Sequence, residues 1–302
     1  MSDIHKVAIL GASGNFGAPI TAALIKAGFE VTIISREESC ATFPDGIPAI
    51  KIQYTHEELT KAMVGQDATV CVIGPAGMDS KTIMVDAAEA AGVKRFIVND
   101  FGWGPTTRGL PEFGDVHAKR REQWSHAEAK AQANPGFTWT GITIGNPVDW
   151  ALRKFPTMGF DVVNFSAIIY DKGEEYFTGT TLEGIGQSVV GVLQHPNETA
   201  NRFVKVLSIK TCQNELLRAF QHVTGKDWDV QRSTTKALRE SGSSKREAGV
   251  KGWVLDLAVA QMFDEGEARN VVASSREESD AELLVVPAET AEQIVAKALA
   301  PV

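Results

Sequence analysis

The residues best suited to chemistry stand near the start of the chain, where Gly11-Ala-Ser-Gly-Asn-Phe-Gly17 spaces three glycines as GxxGxxG. Glycine at 11 permits a tight turn, glycine at 14 lets the backbone approach a pyrophosphate, and glycine at 17 allows a helix to pack closely on a sheet. A helix beginning here would add free N–H groups and the positive end of its dipole, so Ser13, Asn15 and Phe16 between the glycines are expected against the same phosphates. The next informative pair is Ser35-Arg36. A dinucleotide site that prefers NAD carries a carboxylate at the end of its second strand to accept from the ribose 2′-OH. Arginine in that place can instead fork onto a 2′-phosphate through a charge-assisted pair, with the Ser35 hydroxyl beside it, so NADPH/NADP+ is the expected cofactor. The competing reading of Arg36 is a solvated arginine beside Glu37 and Glu38.

Other catalytic arrangements are missing. Tyr54, Tyr170 and Tyr176 are followed four residues on by Glu58, Glu174 and Thr180, so no Tyr and Lys share a helix face as a hydride-transfer dyad. HExxH and GxSxG are also absent, which removes the zinc-hydrolase and nucleophile-elbow readings. Cys40, Cys71 and Cys212 are odd in number and form no CxxC, so neither a disulfide framework nor a metal site is expected. His117, His126 and His222 are lone histidines, a residue more often a satisfied surface or core group than a catalyst.

The elements that must hold these residues read as an alternation of strands and helices. Lys6 to Leu10 is an apolar run without helical period that ends in the glycine cluster, as a buried parallel strand does. A helix follows over about 14 to 28, with Ile20, Ala23, Leu24 and Ala27 as its buried stripe and Gly28 at its left-handed end. Strands at 30–35, 68–73, 95–98 and 137–144 alternate with helices near 57–63, 79–91 and 116–133, the pattern of a parallel sheet covered on both faces. The expected fold is therefore α/β, a Rossmann-type doubly wound parallel sheet, with a smaller C-terminal substrate-binding part. Residues 1–150 form the nucleotide-binding domain. Residues 151–302 form a mainly substrate-binding α/β region that partly returns to the sheet.

Ligands of open α/β sheets bind at the carboxyl ends of the strands. The loops expected there are Gly74 to Met78, Asn99 to Trp103 and Asn146 to Trp150, which puts Gly74 and Asn99 beside the cofactor. Phe101, Trp103, Asn146, Val148 and Trp150 would line a flat substrate pocket, against the alternative that they are core packing. Beyond Pro147 the rhythm loosens, and interleaved aromatics and glycines over 150–185 suggest a ligand-facing region. Helices are expected near 184–194 and 213–224, a strand near 202–208, and a mobile polar loop from Arg239 to Glu247.

Lys plus Arg number 30 against 38 Asp plus Glu, a net charge of −8, which argues against attraction to nucleic acid or anionic lipid. No apolar run approaches the roughly 20 residues of a membrane span. With 43% apolar and 23% charged residues the composition is that of a globular chain. The expectation is a cytoplasmic protein, a monomer or homodimer, whose partner is a small molecule.

Taken together, Gly11 to Gly17, Ser35-Arg36, Val93 to Gly102, the helix carrying Lys119, and Gly136 to Ile142 leading to Asn146-Pro147 resemble the NmrA-like, isoflavone-reductase-like group of atypical short-chain dehydrogenases. The resemblance runs over nearly the whole chain. Where that group has proline and serine before an acidic residue, this chain has Val98 and Asn99. The resemblance implies an NADPH-dependent reductase of an aromatic or conjugated, secondary-metabolite-type substrate, with Lys119 both beside the cofactor and as general acid or base. Burial and the neighbouring Arg120 and Arg121 would disfavour the charged form of that lysine. It leaves two rivals open: a dinucleotide-sensing regulatory protein of the NmrA type, and a redox-neutral isomerase or cyclase on the same fold.

Overall fold

The computed structural model describes residues 4–74, 77, 80–106 and 109–300. The first half of the chain runs Lys6–Leu10 (β1), Gly17–Lys26 (α1), Glu30–Arg36 (β2), Ala49–Ile52 (β3), His56–Met63 (α2), Ala68–Cys71 (β4), Lys81–Ala90 (α3), Arg95–Ile97 (β5), Gly114–Ala133 (α4) and Thr138–Thr143 (β6). Next come Asn146–Pro147 (β7), Val148–Leu152 (α5), Phe160–Asp161 (β8), Ser166–Tyr170 (β9), Phe177–Thr180 (β10), Leu182–Gln194 (α6) and Arg202–Lys205 (β11). Ile209–Thr211 (β12), Gln213–Thr224 (α7), Asp229–Ser233 (β13), Thr235–Glu247 (α8), Trp253–Met262 (α9) and Ala291–Leu299 (α10) complete the chain.

Seven strands form one sheet in the order β11-β6-β5-β4-β1-β2-β3, every neighbouring pair parallel. This is the doubly wound Rossmann arrangement with one further strand at the β6 edge. Strand β1 shows why it must be covered on both sides. Val7 and Ile9 join the core shared with α1 and α6, while Ala8 and Leu10 join the core shared with α2, α3 and α4. Successive side chains of a strand point to opposite faces, so an unbroken apolar run needs helices on each.

Two sequence expectations shift at the margins. Helix α1 starts at Gly17 rather than near 14, because residues 11 to 16 are used up in the turn, and Ala27 is exposed at its end. Strand β3 was not anticipated: Ala49-Ile-Lys-Ile52 is only four residues long and lies at the sheet edge with three of them exposed, too short a run to show a period. The expected Gly74 to Met78 loop and the start of the helix at Asp79 lie partly outside the described residues.

The late part of the chain returns to this sheet. Strand β11 pairs with β6, and α6 packs on α1 so closely that a Cβ on Gly186 would lie 2.8 Å from the Pro19 carbonyl oxygen. The fully buried Arg95 guanidinium donates to the hydroxyls of Thr138, Thr140 and Thr199 at 2.9 Å each, tying β5 and β6 to the segment after α6. Two three-stranded sheets, β12-β10-β7 and β13-β9-β8, make a second lobe.

That lobe corrects the reading of 150–185 as a loose ligand-facing stretch. Phe160, Tyr170 and Phe177 are buried in a core with Phe220, Trp228 and Phe263, because the aromatics fill the space between short strands and helices α5, α7, α9 and α10. The expected mobile loop at 239–247 is likewise α8. Its start is capped by the Thr234 side chain accepting from the Ala237 amide, and Asp256 of α9 accepts from Ser241 and Lys245 at 2.7 Å. Small residues that read as loop formers let α8 lie close to α9: a Cβ on Gly242 would lie 2.7 Å from Leu257. No helix among the described residues is long and apolar enough to cross a membrane.

Asp67 pins the amino ends of the central strands. Its carboxylate accepts from the His5 and Lys6 amides at 3.0 Å and from Lys94 Nζ at 2.9 Å. Partial burial pushes its pKa up, but the Lys6 and His5 amides and the Lys94 ammonium outweigh that and hold it at about 2. A folded-state pKa below the unfolded one gives stability that is present above the unfolded value and lost as pH falls through the folded one. Asp67→Ala is expected to lower unfolding free energy by about 1–3 kcal/mol at pH 7. Denaturant midpoints should show the difference from wild type narrowing as pH falls from about 4 towards 2.

Candidate active site

The turn after β1 brings three stretches of backbone together. Gly11 has φ +92°, and a Cβ there would overlap the Val72 carbonyl oxygen at the end of β4. A Cβ on Gly17 would overlap the Gly11 carbonyl oxygen, so the first turn of α1 sits directly on the glycine turn. A Cβ on Gly14 would meet only the Gly11 oxygen, at 3.3 Å, and Gly14 is exposed. No side chain caps α1 and its first turn has no acidic residue, so its amino end is open to an anion.

Two hollows meet over this turn. One, of about 230 Å³, is lined by Gly11, Ser13, Ser35, Arg36, Phe43 and Tyr54 among others. The second, of about 550 Å³, is lined by Asn15, Phe16, Lys81, Asn99, Phe101 and Lys119 among others. Both share Gly14, Val72, Ile73 and Gly74, so they are halves of one cleft that crosses the carboxyl ends of β1 and β4. A cradle of bare backbone at the middle with a hollow on each side fits a dinucleotide, its pyrophosphate at the glycines. Every residue expected to hold the cofactor lies on this cleft except Gly17, which acts beneath it through packing.

In the smaller half, Ser35 is buried and Arg36 half-exposed, its Nη1 3.1 Å from Glu38. Such an exposed ion pair is worth about 0–1 kcal/mol, so it offers little resistance to an incoming phosphate. The Lys51 ammonium donates to the Ser39 carbonyl at 2.7 Å, fixing the loop that follows β2.

The larger half holds charges that the sequence reading missed. Lys81, at the first position of α3, is 3% exposed, and Asp100, in the loop after β5, is 5% exposed; both line the cavity with Arg120 of α4. Burial pushes the Asp100 carboxyl up to about 7, against the downward pull of Arg120, the Gly104 amide and Lys81. Burial pulls the Lys81 ammonium down to about 8, with Arg120 adding to it and Cys71 and Asp100 opposing. Gln123 braces this floor: its amide donates to the Lys81 carbonyl at 3.2 Å and its oxygen accepts from the Asn99 amide at 3.0 Å. The Asn99 side chain donates to the Ile73 carbonyl at 2.8 Å, joining the β4 and β5 loops. Lys81 carries no motif, so only its burial reveals it.

Lys119 lines the same cavity from α4, one helical turn after Val116. Contrary to expectation it is exposed, because the start of α4 lies at the mouth of the cavity rather than on its floor. The expected aromatic wall is also only partly assembled. Phe101 lines the cavity, and Trp150 meets Phe16 edge-on at 6.5 Å. Val148 is fully buried in the second lobe's core, and Asn146 donates to the Thr178 carbonyl at 3.2 Å; strand pairing at β7 turns both away from the cleft. Trp103 does not line the cavity either, since the loop past Gly102 follows β6 through the Gly102–Thr143 bridge. His117 packs edge-on against Phe113, and His126 pairs with Asp86 at 2.8 Å, both outside the cleft lining. Among the described residues no group of three His, Cys, Asp or Glu could hold a metal ion.

A doubly wound sheet with a glycine cradle and a two-part cleft at its switch point defines a dinucleotide-binding Rossmann protein. A family model described as NAD(P)H-binding matches residues 11–196. Oxidoreductase poxI of Penicillium oxalicum is 65% identical over 95% of this chain and 92% of its own length. The crystal structure of isoflavone reductase superposes with a TM-score of 0.77 at 19% identity, covering 96% of this chain and 98% of that one. AtPrR2 with NADP+ and (+)pinoresinol superposes equally well, at 17% identity over 97% and 98%. The chain belongs to the NAD(P)H-binding family, as an oxidoreductase with the isoflavone-reductase type of fold.

Gly11→Ala tests the cradle, since it brings both a disfavoured φ and an overlap with β4. It should destabilise the protein by about 1–3 kcal/mol. Calorimetric titration should show dinucleotide affinity reduced at least about tenfold.

Proposed function

We propose that this protein is an NADPH-dependent reductase of an aromatic or conjugated small molecule, with Lys119 as the general acid or base. The observation that carries the reading is the single cleft: an Arg36-bearing hollow at one end, a glycine cradle at the middle, and at the other a roomy cavity where Lys119 stands beside Phe16 and Phe101. The relative's name as an oxidoreductase and the NADP+ complex of a structural neighbour support it.

When bound, NADPH supplies a hydride. The protein's share is to hold and orient. Backbone at Gly11, Ser13, Gly14, Asn15 and Phe16 receives the pyrophosphate, Gly17 keeping α1 close behind it. Arg36 exchanges Glu38 for the 2′-phosphate, with Ser35 alongside. Gly74 and Asn99 flank the nicotinamide end. Phe101, with Trp150 behind Phe16, offers apolar surface to the substrate, and residues 151–302 supply the second wall. Lys119, at the mouth, exchanges protons with water and delivers one to the substrate. The cytoplasm is the proposed setting, in keeping with three free cysteines.

Arg36→Ala should weaken NADPH about 10–100-fold in a binding titration while leaving NADH affinity unchanged, the loss expected of one charge-assisted phosphate contact. Purified protein mixed with NADPH and a panel of quinones, enones and phenolic ethers should oxidise the cofactor with at least one of them. Lys119→Ala should slow that turnover about 100-fold or more. No oxidation across the panel, or a Lys119→Ala enzyme as fast as wild type, overturns the assignment.

A further inference from the structure

The floor of the larger cavity carries three ionisable groups that satisfy one another poorly. Among the described residues, neither the Lys81 ammonium nor the Arg120 guanidinium makes a close hydrogen bond or ion pair, and the buried Asp100 carboxylate makes no well-formed hydrogen bond, the Gly104 amide and the Thr143 hydroxyl reaching it only weakly. Buried charges are normally paired, and exceptions cluster where a ligand completes them. Lys81 is the group most suited to meet one. It is almost wholly buried yet borders a cavity of about 550 Å³, and its backbone is anchored by Gln123. The groups facing it are Cys71 of β4, Asp100 of the β5 loop and Arg120 of α4. Only Asp100 can be negative at neutral pH, because burial pushes the Cys71 thiol up to about 11.

We propose that Lys81 is an oxyanion-binding catalytic residue, and that it fits the cavity to a substrate whose reduction puts negative charge on a carbonyl oxygen. This rests on the reductase reading and narrows its substrate class to carbonyl compounds, against the ethers of the panel. In a conjugated carbonyl, a hydride leaving bound NADPH, whose nicotinamide C–H bond would break to give NADP+, would form the C–H bond at the far carbon, the C=C electron pair would move toward the carbonyl, and C=O would become C–O−. The Lys81 ammonium donates a hydrogen bond to that oxygen and keeps its proton. Lys119 then gives a proton to the adjacent carbon, restoring C=O, and recovers its own from water at the mouth. A donor in a dry, fixed position stabilises such charge far better than water does. Asp100 and Arg120 set the ionisation of Lys81: the carboxylate favours the ammonium and the guanidinium disfavours it.

The test uses p-nitrophenol, coloured only as its anion, bound to the protein with NADP+. Lys81 should lower the probe's titration midpoint by about one unit or more, equivalent to at least about tenfold more anion at a given pH. Lys81→Met, close in length and tolerable in an apolar wall, should abolish the shift while thermal melting stays as in wild type. On a carbonyl substrate it should lower kcat about 100-fold or more. The wild-type rate should fall above pH 8, where the ammonium is lost. Asp100→Asn should move that limb to lower pH, and Arg120→Gln to higher pH. An unshifted probe, a shift that survives in Lys81→Met, or a Lys81→Met enzyme whose main defect is a more than tenfold loss of NADP+ affinity overturns the proposal. The probe titration reads Lys81 without turnover, so an enzyme that reduces nothing in the panel would sink the reductase reading separately.

Discussion

The site depends on backbone meeting backbone at the first crossing from strand to helix. Gly17 lies on the Gly11 carbonyl, and Gly11 lies on the Val72 carbonyl, with no room at either contact for a side chain. That stack brings the amino end of α1 level with the ends of β1 and β4, leaving Gly14 bare at the centre of the cleft. Were α1 held away by a methyl group's width, its amides would no longer point at an anion lying across the strands. The two halves of the cleft would also lose the residues they share.

Charge is concentrated where that geometry needs it. The chain as a whole carries a net charge of −8. Among the described residues lining the two halves, however, Arg36, Lys81, Lys119 and Arg120 stand against the single carboxylate of Asp100. A cationic cleft in an acidic protein draws an anionic coenzyme to one place and repels it elsewhere. The two lysines differ in depth. Lys119 is solvated at the mouth and suited to trading protons with water, whereas Lys81 on the floor is suited to facing charge that water would otherwise screen.

The second lobe is more ordered than its composition suggests. Its aromatics are spent on a core between short strands and helices, and small residues let α8 and α9 lie together. Of the aromatics expected to line the substrate pocket, only Phe101 reaches the cavity. Meanwhile α6 and β11 return to the parallel sheet, so the sheet and its core are built from both halves of the chain.

What the sequence determined alone was local. An apolar run ending in GxxGxxG has one common structural outcome, and Ser35-Arg36 at the next strand end follows from counting along the chain, so the sheet, the cradle and the cofactor end of the cleft were legible. Tertiary structure decided which side chains are dry. Lys81 has no motif, and its burial comes from α3, α4 and the β5 loop closing over it from positions far apart in sequence. Val148 and Asn146 looked like pocket residues until strand pairing turned them into the second lobe. Burial is a property of three-dimensional neighbours, and it is burial that separates Lys81 from a solvated lysine such as Lys119.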